Sequence, residues 1–243
     1  MKLIKQILPL TALAVTLSAC CSPGSKDACS AEPLNCPKAK AKTCSKAALK
    51  FNNADFYTAD GKFNTDAAKD AVIRVMKYHD YKVTDKTRSQ LWVSDYGTGR
   101  FTELGLAAIM YDNNIKDLYM LQALILLPNQ MLPEHWHEKP ANLPAKMEGW
   151  LVLSGTSYTV GSGEDNLAQF PEIKIPACHK GGVTVTHVTK LTSGEYANLK
   201  DLYGHHWQIA GAEGAVILEV ANVHSSEAVR HQVPEINKFF LKK

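Results

Sequence analysis

The sequence predicts one mainly β domain, a sandwich or barrel, with a single helix packed outside it. Three observations carry this expectation. After Gly97-Thr98-Gly99 the chain breaks into short apolar or alternating runs bounded by Pro and Gly, which is the texture of strands. Ahead of that point one segment carries apolar residues at helical spacing. The stretch from Phe51 to Lys243 has a length that suits one domain with a sizeable core, with no internal repeat and no second low-complexity break.

The first residues read as an export signal. Lys2 and Lys5 precede an apolar stretch from Ile7 to Leu17, long enough for a signal peptide and too short to span a bilayer. It ends in Leu17-Ser18-Ala19-Cys20, which resembles the lipobox of bacterial lipoproteins; the resemblance implies lipidation of Cys20 after removal of residues 1–19. A plain secretory signal with an incidental cysteine is the alternative. The expected location is the bacterial cell envelope, periplasm or outer membrane, with the chain held by lipid.

Residues 20–50 read as a tether rich in Ala, Lys, Pro, Ser and Cys. Cys21, Cys29, Cys36 and Cys44 lack the paired C-x-x-C spacing of common zinc sites, and an oxidising compartment would allow some of them to pair. Loss of Lys2 and Lys5 with the signal lowers the formal charge from +3 to +1. The run Lys38 to Lys42 is a solvated tether near a membrane surface, and no basic stripe with interleaved aromatics argues for nucleic acid.

Within the domain, residues 51–243, the segment 65–79 places Ala68, Ala71, Val72, Val75 and Met76 on one helical face behind a Thr65 or Asp66 cap, with His79 at its surface end. Strands are expected over Leu118–Leu127, Gly149–Val160, Val183–Leu191 and Ala215–Val223.

The chemistry gathers on those strands. His135 and His137 are two apart after a proline-bounded turn, so an extended backbone points both to one face while Trp136 points away. Lys146 and Glu148 repeat that geometry at the start of the next strand. Gly204-His205-His206-Trp207 supplies a further imidazole before the apolar strand around Ile217. Three imidazoles and a carboxylate suit one divalent ion, manganese or zinc first, with iron and cobalt as alternatives. Of the other histidines, His187 is expected in the barrel wall, and His179, His224 and His231 on the surface.

The order H-x-H, ten residues, Glu148, a strand with Gly155, then a distant His resembles the cupin superfamily. That resemblance implies a cupin-type double-stranded β-helix, or jelly-roll barrel, with His135, His137, Glu148 and a late histidine as ligands. Leu202-Tyr203-Gly204 stands where the family has P-x-G, which leaves His205 and His206 both open. His206 is favoured because, like the family histidine, it precedes an aromatic, Trp207.

Within cupins, His135-Trp136-His137, Lys146-Met147-Glu148, Leu191 to Glu195, His206-Trp207 and Val216 to Val220 look like sugar isomerases similar to D-lyxose ketol-isomerase, over about Tyr119 to Val223. The implied reaction is aldose–ketose interconversion of a small sugar, D-lyxose to D-xylulose in kind, through an enediolate. Lys146 would hold a substrate oxygen or the developing charge, and Gln122 would join Lys146 in binding the sugar. Glu219 is the candidate base, because it alternates onto the apolar face of Ala215, Ile217, Ala221 and Val223, where a carboxylate is costly unless it is used. Two rivals keep the same ligands: a non-catalytic sugar- or metal-binding lipoprotein, and a cupin dioxygenase with an apolar or thiol-accommodating pocket. A homodimer is left open.

Overall fold

The computed structural model describes residues 46–241; the expected signal, Cys20, Cys21, Cys29, Cys36 and Cys44 lie outside the described residues. Helix α1 covers Thr65–Tyr78. Its cap is Asn64 and not Thr65 or Asp66, because the Asn64 side chain accepts the Ala67 N–H at 3.1 Å and leaves Thr65 as the first helical residue. The buried face is Ala68, Ala71, Val72, Val75 and Met76, as the spacing predicts. His79 closes the helix, its ring bonded to Ser154 Oγ at 3.0 Å and the Glu213 carbonyl at 2.9 Å.

A one-turn helix α2 (Thr87–Gln90) leads into β1 (Trp92–Ser94), β2 (Leu106–Asn114), β3 (Tyr119–Leu126), β4 (Met131–His137) and β5 (Glu148–Gly161). After an excursion come β6 (His187–Thr192), β7 (Tyr196–Asn198), β8 (His206–Ala221), β9 (Val229–His231) and a terminal helix α3 (Pro234–Leu241). All the strand pairings are antiparallel, in the order β1-β2-β3-β8-β4-β9, with β5 joining β6, β7 and β8. This curled sheet is the cupin-type double-stranded β-helix.

Strand β8 makes the curl. Its first half pairs with β4 and its second half with β3, while β5 runs beside both. The expected strand Ala215–Val223 is therefore only the second half of a longer one, which continues through Gly211 and Gly214, residues that read in the sequence as breaks. Strand β5 follows the bend through bulges, one next to Gly155. Gly155 has φ +84°, and a Cβ there would stand 2.3 Å from the Gly214 carbonyl oxygen.

Strand β3 shows why its run is almost wholly apolar. Leu124 and Leu126 face the interior with Trp150, Trp207 and Ile217, while Ala123, Ile125 and Leu127 face the α1 side with Val72, Val75 and Met76. From Ala123 onward both faces are covered and apolar, while Gln122 turns its amide to the cavity. The expected strand Val183–Leu191 begins only at His187; the residues before it belong to the excursion between β5 and β6. His187 sits half-buried on β6, its Nδ1 2.8 Å from the Glu164 carbonyl.

Candidate metal centre

Strand alternation on β4 sends His135 and His137 inward and Trp136 outward, as the i and i+2 spacing requires. Across the ladder His135 faces His206 of β8, with ring centroids 4.2 Å apart. Glu148 opens β5. The result is a buried cluster of His135, His137, Glu148 and His206, whose four donor atoms all lie within 4.8 Å of one another. His205 is elsewhere: its ring stacks on Trp136 at 4.2 Å with the planes 9° apart, on the outer side of the wall. Of the two open histidines, His206 is the one that joins the cluster.

The donors fit a cation. Nδ1 of His135 lies 2.9 Å from the Pro133 carbonyl, and Nδ1 of His206 lies 2.9 Å from the Gly204 carbonyl. A carbonyl only accepts, so both Nδ1 atoms carry hydrogen and both Nε2 lone pairs point inward. Nε2 of His137 and of His206 approach Glu148 Oε1 to 2.9 and 3.0 Å, yet all three atoms are buried without a bond of hydrogen-bonding geometry. Burial holds the His135 pKa well below the usual imidazole value and pushes His137 down to about 4, so both are neutral, the form that ligates. Converging lone pairs and a carboxylate oxygen repel one another unless a positive charge sits between them.

Lys146 stands beside this cluster, in the two residues before β5. Its Nζ bridges Glu148 Oε2 at 2.5 Å and Glu219 Oε1 at 2.7 Å. Burial works against the ammonium, but the two carboxylates outweigh it and hold the Lys146 pKa above the usual lysine value. Burial likewise opposes the Glu148 charge, yet Lys146 and then His137 keep its pKa well below the carboxylate range. Glu219 is pushed up to about 7, first by burial, against the pull of Lys146 and with the added repulsion of Glu148. Gln122 Nε2 donates to Glu219 Oε2 at 3.0 Å, so its amide positions that carboxylate.

A cavity of about 370 Å³ opens onto the cluster. His135, His137, Gln122 and Glu219 line it, together with apolar residues that include Tyr96, Leu132 and Phe240. Lys146 is not part of that wall; it meets the cavity only through Glu219.

His231 in the cavity wall and His179 outside it are buried, which overturns the surface expectation, while His224, also in the wall, is half-buried. His231 is 3% exposed and pairs with His135 across β4 and β9. Burial pushes the His231 pKa down to about 3 and that of His224 to about 4. Each sits in a polar stretch of sequence; the cover of His231 comes from Tyr96 and Phe240, 5.3 and 5.2 Å from its ring. Only the β-register to His135, which the sequence does not display, would have revealed it.

No family model matches the chain. The chain is 28% identical over 170 residues to the D-lyxose/D-mannose isomerase of Thermosediminibacter oceani, covering 70% of this chain and 91% of that protein. It is 29% identical over 160 residues to the D-lyxose ketol-isomerase of Cohnella laeviribosi, covering 66% and 85%. Among solved structures, the L-ribose isomerase of Cellulomonas parahominis superposes with a TM-score of 0.58 at 14% identity, over 77% of this chain and 97% of that one.

Proposed function

We propose that the chain is a metal-dependent aldose–ketose isomerase acting on a free sugar of the D-lyxose kind. The observation that carries this is a base beside a metal-type cluster: Glu219, with its pKa near 7, borders the same cavity as His135 and His137. In this reading His135, His137, Glu148 and His206 hold one divalent ion, manganese or zinc. When bound, such an ion would polarise two adjacent sugar oxygens and acidify the hydrogen on the carbon that carries one of them.

Glu219 does the proton work. It removes the C2 proton of the aldose, leaving an enediolate, and returns a proton to C1, while the hydroxyl proton shifts from O2 to O1. Oε2, bonded only to the neutral Gln122 amide, is the more basic oxygen, because Oε1 already accepts from the Lys146 ammonium. A base with a pKa near the working pH transfers protons in both directions, which a reversible isomerisation needs. Lys146 fixes Glu219 and offsets the Glu148 charge, so the site tolerates two carboxylates side by side. The relatives named as D-lyxose isomerases support the substrate class.

The apolar share of the wall, Leu132, Tyr96 and Phe240 among it, is what the dioxygenase alternative requires. One experiment separates them: metal analysis of purified protein, then a screen of pentoses and hexoses for ketose formation under nitrogen. Ketose formed without oxygen supports the isomerase; oxygen uptake on an apolar or thiol substrate with no ketose from any sugar would overturn it. We also propose that the enzyme works at the cell envelope, a reading supported by Lys2, Lys5 and Leu17-Ser18-Ala19-Cys20 alone.

A further inference from the structure

Glu134 precedes a ligand-type histidine, and His205 precedes another. Neither side chain enters the cavity, yet Glu134 is 0% exposed. A carboxylate so buried is costly unless its oxygens are bonded. Oε2 accepts the Thr184 backbone N–H at 2.7 Å; Oε1 accepts the Thr184 hydroxyl and Nδ1 of His205, the latter at 2.8 Å. The His205 ring in turn lies flat on Trp136, two residues along β4 from Glu134. The outer face of β4 thus grips the residue next to His206.

The backbone explains why a grip is needed there. Strands β4 and β8 are in register at Met131↔Ile209 and Leu132↔Gln208, and again at His135↔His206, with a shift between. Pro133 and Glu134 bulge opposite Trp207, so the ladder is interrupted one step before the paired histidines. Pro133 has no N–H, and the Glu134 N–H goes to His179 Nε2 at 3.2 Å and not to β8. Backbone pairing alone therefore holds the His135–His206 spacing weakly.

We propose that Glu134 and His205 form a clamp on the outer face of the wall that sets the spacing of His135 and His206, and so the affinity of the centre for its ion. They are positioning residues, and this rests on the metal-centre reading above. Thr184 ties the clamp to the excursion between β5 and β6, which also meets β4 through His179 and β8 through the bond from Trp207 Nε1 to the Val185 carbonyl.

The test uses the full chain, with Mn2+ and Zn2+ affinities measured by competition with a chelating dye, beside thermal unfolding of the metal-free protein. His205→Ala removes the bond and the stack; His205→Asn keeps an amide donor near the Nδ1 position without the ring. His205→Ala is expected to bind both ions about 10- to 100-fold more weakly than wild type, the range over which disturbing the support of ligands acts. His205→Asn should recover much of that loss, and Glu134→Gln should resemble His205→Ala. If Glu134→Gln fails to fold, the His205 pair decides alone, since that side chain is 32% exposed and tolerates change. A merely structural role would lower the unfolding temperature and leave the affinity of the folded protein unchanged. Affinities within twofold of wild type in folded His205→Ala would overturn the clamp, as would a loss that His205→Asn does not repair. Wild-type protein that binds neither ion would instead overturn the metal centre itself.

Discussion

At the scale of single residues, the proposal separates groups that would bind an ion from groups that would react. His137→Ala and His206→Ala each remove one of four donors, so purified protein should lose most of its metal by elemental analysis. Full occupancy in either variant would mean that the ion sits elsewhere. Lys146→Met should behave differently: it leaves Glu148 and Glu219 buried without their shared cation, at a cost of about 3–5 kcal/mol in unfolding free energy. Denaturant unfolding within 1 kcal/mol of wild type would contradict the bridge seen here. The H-x-H pair and Glu148 were legible because alternation in one strand is a local rule. Glu219 was legible for the same reason, as a charge on an apolar face. His231 was not, because what buries it comes from Tyr96, over a hundred positions away, and from Phe240 of the terminal helix.

At the scale of elements, the helical face of α1 was readable to the residue, since a period of 3.6 is written in the chain itself. Its packing against β3 and Val216 gives a direct test. Val75 is fully buried there, so Val75→Ala should lower stability by roughly 1–3 kcal/mol, between the one-methyl and large-deletion classes of core change. Its metal affinity should stay at the wild-type value, because α1 packs on the face of β3 away from the cavity. A metal loss in folded Val75→Ala would mean that the helix shapes the centre after all. Strand β8 was only half legible. Gly211 and Gly214 signal a break to any local reading, but here they let one strand turn from β4 to β3. Strand β9 has three residues, too few for alternation to register, and its existence depends on pairing with β4.

At the scale of the whole molecule, the curl of the sheet brings β2, β3, β4, β8 and β9 around one cavity, and residues distant in sequence meet there. The order of motifs along the chain pointed to that closure by resemblance; composition and periodicity reached only as far as a sandwich or barrel. The proposed export segment belongs to the same scale, because it would decide where the barrel works. Cys20→Ala is expected to leave the chain unprocessed and without lipid, seen as a heavier protein that no longer partitions into detergent. Lipid mass on that variant would mean that the anchor residue is another one. The isomerase proposal itself meets its most direct test in ketose formation from D-lyxose, measured for wild type and Glu219→Gln at equal metal content. Wild type should convert the sugar, and Glu219→Gln should do so about 10²–10⁴-fold more slowly while keeping its fold and its ion. Metal-loaded, folded wild type that forms no ketose from D-lyxose or any other aldose, or a fully active Glu219→Gln, would contradict it.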